Sequence, residues 1–135
     1  MSDEFVVDAS AMVDALLRTD AVGVALAKRI SGSVCHAPHL IDAEVGSVLR
    51  KAERQAKITS DEALAGIRLA KILIDERYAH HGPLAAQAWQ CRHTITFYDG
   101  LYVALAAALG IPLLTSDARL SNAPGLPCRV QLISS

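Results

Sequence analysis

Short apolar runs that stop on a carboxylate or a hydroxyl punctuate this chain, and longer stretches with helical spacing separate them. The first run, Phe5-Val6-Val7, ends on Asp8-Ala9-Ser10. A Val-rich run of this kind suits a strand buried on both faces, as in a parallel sheet covered by helices. Residues 10–17 then read as a short helix and 20–30 as a second, with Asp20 as its cap. A small apolar piece at 34–37 predicts strand two. Pro38, read as a first helical residue, predicts a long helix running to about Arg54. Ser60-Asp61-Glu62 opens the next helix with acids at the positive end of its dipole and Ala63, Ile67, Ala70 and Ile74 along one face. That helix should end near Glu76.

Residues 77–82 allow a short third strand before Pro83 starts a helix to about Arg92. Phe97-Tyr98-Asp99 begins a helix whose body, 101–109, is apolar all round, which predicts burial against the sheet, and Gly110 is its expected C-terminal cap. Strand four follows at 111–115 and ends at Ser116-Asp117. A last, edge strand at 129–133 comes after the turn-forming Pro124-Gly125-Leu126-Pro127. Strands alternating with helices of this length predict an α/β fold, a three-layer α/β/α sandwich with a mainly parallel central sheet, as one domain over 1–135.

Composition adds little to this picture but excludes some alternatives. At 135 residues and 52% hydrophobic, the chain is long enough to bury a core without disulfides or a structural metal. Only 4% is aromatic, so that core is built from Ala, Val, Leu and Ile. A net charge of -1 excludes a broadly basic coat, though a local patch could still hold a nucleic-acid backbone. Cys35, Cys91 and Cys128 are odd in number and far apart, with no C-x-x-C pair, which suits a reducing compartment. The start is acidic and its apolar run too short for a signal peptide. The longest uncharged stretch, 100–114, contains Gly110 and Pro112 and is shorter than the roughly 20 apolar residues of a membrane span. The expectation is a soluble, cytoplasmic protein with no membrane partner.

Four acids, Asp8, Glu44, Asp99 and Asp117, each interrupt or end an apolar context. Asp8 could simply cap the following helix, or it could serve chemistry at the carboxyl edge of the sheet, where open α/β folds bind ligands. Asp117 would lie beside it if strands one and four are neighbours, with Asp99 at the head of the helix leading into strand four. Glu44 flanks the apolar face of Ile41, Val45 and Val48, whereas Asp42 points further toward solvent. Gathered carboxylates repel one another and raise their own pKa values unless a cation compensates. Mg²⁺ or Mn²⁺ in an open acidic cleft would suit phosphodiester hydrolysis. Ser10 and Thr115 offer hydroxyls at the same edge, either for a metal-held water or phosphate oxygen or for local capping.

The stretches Val6-Val7-Asp8-Ala9-Ser10, Leu40-Ile41-Asp42-Ala43-Glu44-Val45 with Leu49-Arg50, Tyr98-Asp99-Gly100-Leu101-Tyr102-Val103-Ala104-Leu105-Ala106, and Leu113-Leu114-Thr115-Ser116-Asp117-Ala118-Arg119-Leu120 together resemble a PIN domain of the VapC type. This is the toxin half of bacterial toxin–antitoxin pairs. The resemblance implies a Mg²⁺- or Mn²⁺-dependent endoribonuclease whose four acids fall on Asp8, Glu44, Asp99 and Asp117, with Ser10 and Thr115 as polar helpers. It also implies a homodimer, a structured RNA substrate such as tRNA or rRNA, products with 5′-phosphate and 3′-hydroxyl ends, and a cognate antitoxin that covers the acidic site. Gly100 stands where many relatives carry Ala.

Other readings remain in view. Arg50, Lys51, Arg54 and Lys57 form a basic cluster that could track RNA or simply face solvent, and Arg92 and His93 pose the same choice. His80-His81 has no partner at zinc-ligand spacing. No G-x-S-x-G elbow, G-x-G-x-x-G or P-loop follows any expected strand. An aspartyl-nucleophile phosphatase would use Asp8, but Ser10 stands where that haloacid dehalogenase-like chemistry wants a second Asp, and no Lys follows Lys71. A protein-binding module that kept the fold and lost the chemistry is the non-enzymatic rival, with Val13, Leu16 and Leu17 as a possible partner groove or, equally, core.

Overall fold

The structure, a computed structural model, describes residues 3–133. Along them run β1 (Glu4–Val7), α1 (Ala9–Leu17), α2 (Ala21–Ser31), β2 (Val34–Pro38), α3 (Leu40–Arg54) and α4 (Ser60–Leu73), followed by β3 (Glu76–Tyr78), α5 (Pro83–Gln90), α6 (Phe97–Leu109), β4 (Leu113–Thr115), α7 (Ala118–Ser121) and β5 (Val130–Leu132). The strands hydrogen-bond in the order β3-β2-β1-β4-β5, each neighbouring pair parallel. In register, Val6 stands opposite His36 on one side and Leu113 on the other.

Phe5, Val6 and Val7 expose no surface. Because successive strand side chains point to opposite faces, that burial requires cover on both sides of the sheet. Helix α6 packs on β1, β2 and β4, while α1 packs on β4 and gathers α2, α3 and α4 around itself. This is the α/β sandwich with a parallel sheet that the alternation of elements predicts. From β1 the order proceeds to β2 and β3 on one side and to β4 and β5 on the other, so the direction of winding reverses at β1 and β4. Crevices at the carboxyl ends of such a pair are where open α/β sheets bind ligands.

Most helix ends follow from local chemistry. Asp20 caps α2 by accepting the Gly23 N–H at 2.9 Å. Thr59 and Glu62 form a reciprocal capping box on α4. Gly110 closes α6 in the left-handed region at φ 67°.

Three expectations are corrected. Pro38 ends β2 rather than opening α3: it is buried, stands opposite Tyr78 of β3, and leaves α3 to begin at Leu40. A proline ring fits a strand end as well as a first helical turn, and burial in the sheet decides between them. Helix α4 stops at Leu73, with Ile74 buried as its C-cap and Glu76 already in β3. Its buried stripe runs through Gly66 and Ala70, leaving Ile67 exposed, because a bare Gly66 lets the Leu49 side chain of α3 pack directly against the helix backbone. The single turn α7 goes unannounced in the sequence, since residues 118–121 are too few to display a period. No helix among the described residues is long and apolar enough to cross a membrane. The three cysteines are free thiols.

Candidate active site

Asp8 directly follows β1. It caps α1, its Oδ1 accepting the Ala11 N–H at 2.9 Å, and it stands at the carboxyl edge of the sheet beside the end of β4. Ser10 Oγ donates to the same oxygen at 2.7 Å, and Thr115 Oγ1 donates to Oδ2. Each hydroxyl is in turn an acceptor: Ser116 N–H donates to Ser10 Oγ at 3.0 Å and Asp117 N–H to Thr115 Oγ1 at 3.0 Å. The two hydroxyls therefore tie the ends of β1 and β4 together through the Asp8 carboxylate. Only 5% of Asp8 is exposed and none of Thr115. Burial pushes the Asp8 carboxyl up to about 6, against the pull of the bonds from Thr115, Ala11 and Ser10, while the charge of Asp99 adds a smaller push in the same direction. Desolvation, more than repulsion among acids, sets its proton affinity.

Glu44 projects from α3, half-buried, and Oε1 accepts the Tyr102 hydroxyl at 2.6 Å. Burial raises its pKa, the Tyr102 bond opposes the rise, and Asp99 adds to it. Tyr102 is fully buried on α6 and its phenol is driven far above the usual range by burial and by the Glu44 carboxylate it donates to. Asp42, by contrast, is turned outward and joined to Arg77 of β3 through two hydrogen bonds of 2.7 and 2.9 Å. Asp99 lies in the first turn of α6, where the Thr96 cap accepts its N–H at 3.1 Å. Burial raises the Asp99 carboxyl, Thr96 lowers it, Asp117 raises it and Arg119 lowers it. Asp117 is the cap of α7, its Oδ1 accepting the Arg119 N–H at 2.9 Å. Thr115, rather than Asp117, is the residue beside Asp8. Asp117 sits two residues further on, and its charge bears on Asp99.

Asp8, Glu44, Asp99 and Asp117 line one cleft of about 380 Å³, together with Ser10, Asp14, Tyr102 and Ser116. They arrive from the end of β1, from α3, from the head of α6 and from the cap of α7. No Lys, Arg or His among the described residues lines this cleft. Nor, among them, are three or more His, Cys, Asp or Glu drawn to a spacing at which they would hold a metal ion unaided. Separate anchors account for that spread: Asp8 is bound to Ser10 and Thr115, Glu44 to Tyr102. The donor set is nonetheless all oxygen, anionic and open to water. That chemistry suits a hard divalent cation such as Mg²⁺, which keeps several waters and takes only a few carboxylates.

Two cleft residues escape the sequence reading. Tyr102 follows Asp99 by three positions and so shares its helix face, a spacing that could have flagged it. Asp14 follows Ser10 by four positions on α1 and accepts the Ser116 hydroxyl at 2.6 Å, a contact between distant segments that no local pattern announces. The basic cluster of Arg50, Lys51, Arg54 and Lys57 is exposed and lies off the cleft, and His80 and His81 are exposed beyond β3.

A model of the PIN domain matches residues 5–126. Ribonuclease VapC1 of Mycobacterium tuberculosis is 50% identical over 131 residues, spanning 97% of this chain and 98% of the relative. This chain belongs to the PIN-domain family, in its VapC-type branch. Ribonuclease VapC12 of the same organism is 39% identical over 129 residues, spanning 96% of the chain and 98% of the relative. Among solved structures, VapBC2 from Rickettsia felis bound to a DNA fragment from their promoter has the same fold, with a TM-score of 0.70 at 12% identity over 96% of this chain and 98% of that one. Asp8, Asp14, Glu44, Asp99 and Asp117, the five acids of the cleft, all fall inside the matched span of this PIN domain.

Proposed function

We propose that this VapC-type PIN domain is a Mg²⁺- or Mn²⁺-dependent endoribonuclease that acts as the toxin of a toxin–antitoxin pair. The observation that carries the reading is the convergence of Asp8, Glu44, Asp99 and Asp117 on a single cleft that no cationic side chain among the described residues lines. The ribonuclease names of relatives that are 50% and 39% identical support the same reaction class. The four carboxylates would hold the metal. When bound, a divalent cation supplies acidity to a water and positive charge opposite the phosphate oxygens of the transition state.

The chain's own residues prepare that site. Ser10, Thr115 and the Ala11 N–H hold Asp8 in one orientation and favour its ionised form. Tyr102 does the same for Glu44 from the opposite wall. Both hydroxyls at the strand ends are committed to Asp8, so Ser10 and Thr115 serve as positioning residues for it. Products would carry 5′-phosphate and 3′-hydroxyl ends. A homodimer and a cognate antitoxin that covers the cleft complete the proposal, following the family resemblance.

The test is cleavage of total cellular RNA by purified protein with Mg²⁺, Mn²⁺ or EDTA, wild type beside Asp8→Asn. Discrete fragments from the wild type alone, lost in EDTA, are expected. Cleavage that persists in the variant or in EDTA would remove the metal-site assignment, and absence of cleavage in every arm would favour a binding module instead.

A further inference from the structure

A second cavity of about 440 Å³ shares the Asp99 and Asp117 wall with the acidic cleft, and its other sides carry Arg92, His93, Thr94 and Arg119. The two cavities have opposite chemistry across one rim. Arg92 is held in place rather than loose: its Cζ lies 4.7 Å from the centroid of the Trp89 ring, and Nη1 donates to the Trp89 carbonyl at 2.9 Å. A guanidinium carries five N–H donors, so most of its fork is still available. Arg92 and His93 make no ion pair among the described residues. Arg119, on α7, is 94% exposed with Nε 3.6 Å from Asp117.

A polyanionic strand approaching four carboxylates is repelled unless nearby cations hold it, and a net charge of -1 supplies no general attraction. The other basic cluster, at Arg50, Lys51 and Arg54, lies off the cleft. Planar guanidinium groups recognise phosphate through paired hydrogen bonds. We propose that the pocket of Arg92, His93 and Arg119 is a phosphate subsite, which binds the phosphodiester next to the one being cut. The RNA strand then crosses the Asp99–Asp117 rim from one cavity to the other. This assignment rests on the nuclease reading above.

The test uses single-turnover cleavage of an end-labelled, randomised single-stranded oligoribonucleotide with Mg²⁺ over a range of salt. Arg92→Gln is read alone, because it removes a cation that pairs with neither rim acid, and Arg92→Gln/Arg119→Gln is read beside it. Arg92→Gln should need more enzyme for half-maximal rate while its maximal rate stays within about twofold of wild type, and the double variant should need about tenfold more, with a salt slope smaller by about 1 to 2. Arg92→Lys/Arg119→Lys, which keeps the charge and loses the fork, should recover the salt slope and only part of the affinity. Unchanged half-saturation and slope in an actively cleaving double variant would overturn the subsite and leave the nuclease reading standing. If the wild type cleaves nothing, the nuclease reading fails instead. Anisotropy of the same oligonucleotide then decides the pocket: weaker binding by the double variant upholds it as a phosphate site, and equal binding overturns it.

Discussion

At the scale of single residues, Asp8 is costly to the fold, and that cost is measurable. Its carboxyl titrates at about 6 in the folded chain, against about 4 for an ordinary aspartate. Between those two values the folded state binds the extra proton, so stability falls as pH rises through the window. A difference of roughly two units corresponds to about 3 kcal/mol. Asp8→Asn keeps the Oδ1 acceptor that caps α1 and removes the buried charge. In EDTA, urea unfolding of that variant should show it about 1 to 3 kcal/mol more stable than wild type at pH 7 and little different at pH 4, and the proposed role of Asp8 predicts that it cleaves no RNA. A stability advantage of the variant over wild type that does not grow between pH 4 and pH 7 would contradict the burial argument. Tyr102 acts on the opposite wall through one bond to Glu44. Tyr102→Phe should raise the Glu44 pKa further and cost about 1 kcal/mol of stability. The Mg²⁺ concentration for half-maximal cleavage should rise about 10- to 100-fold. An unmoved Mg²⁺ requirement would reduce Tyr102 to a packing residue.

At the scale of elements, the position of Asp99 depends on how closely α6 lies on α5. A Cβ on Gly100 would sit 3.0 Å from the Ala88 carbonyl oxygen and 3.2 Å from its Cα, so backbone rather than a yielding side chain blocks the space. Gly100→Val should therefore cost about 2 kcal/mol in thermal or urea unfolding and depress cleavage by shifting Asp99. Gly100→Ala needs only a few tenths of an ångström of movement and gains about 0.5 to 1 kcal/mol of helix preference, so its stability should stay near that of the wild type. A stable, active Gly100→Val would show that the two helices part freely. The same elements explain what the sequence alone reveals. The apolar run before Asp8 and the all-apolar body of α6 announce buried elements because burial on both faces leaves no polar positions. Asp99 and Asp117 are legible for the same reason, as acids at the edges of such runs. Pro38 misleads because one ring conformation fits two places, and Ile67 because Gly66 draws the contact with Leu49 to its own side of α4. The turn of α7 and the bond between Ser116 and Asp14 are products of tertiary contact, with no local period to carry them.

At the scale of the whole molecule, the cleft joins folding to ion binding through shared protons. Asp8, Glu44 and Asp99 all have pKa values raised by burial. In EDTA, each makes the folded state less stable as pH rises through its folded-state titration, which for Asp8 is centred at about 6 and nearly finished about one pH unit higher. A divalent cation reverses the sense, because it binds only the ionised acids and so gains affinity over the same window. The stabilisation it brings follows from its free concentration, reaching about 2.7 kcal/mol at a hundredfold excess over its dissociation constant. Urea unfolding with and without Mg²⁺ should therefore give curves that nearly coincide at pH 5 and separate progressively to pH 7.5. In Asp8→Asn the separation should shrink at every pH, since one ligand and its titration are gone. A Mg²⁺ increment that is independent of pH, or equal in the variant, would mean that the cation acts elsewhere on the surface. A separation that grows with pH and depends on Asp8 would place the ion among the four carboxylates by a route that needs no RNA substrate.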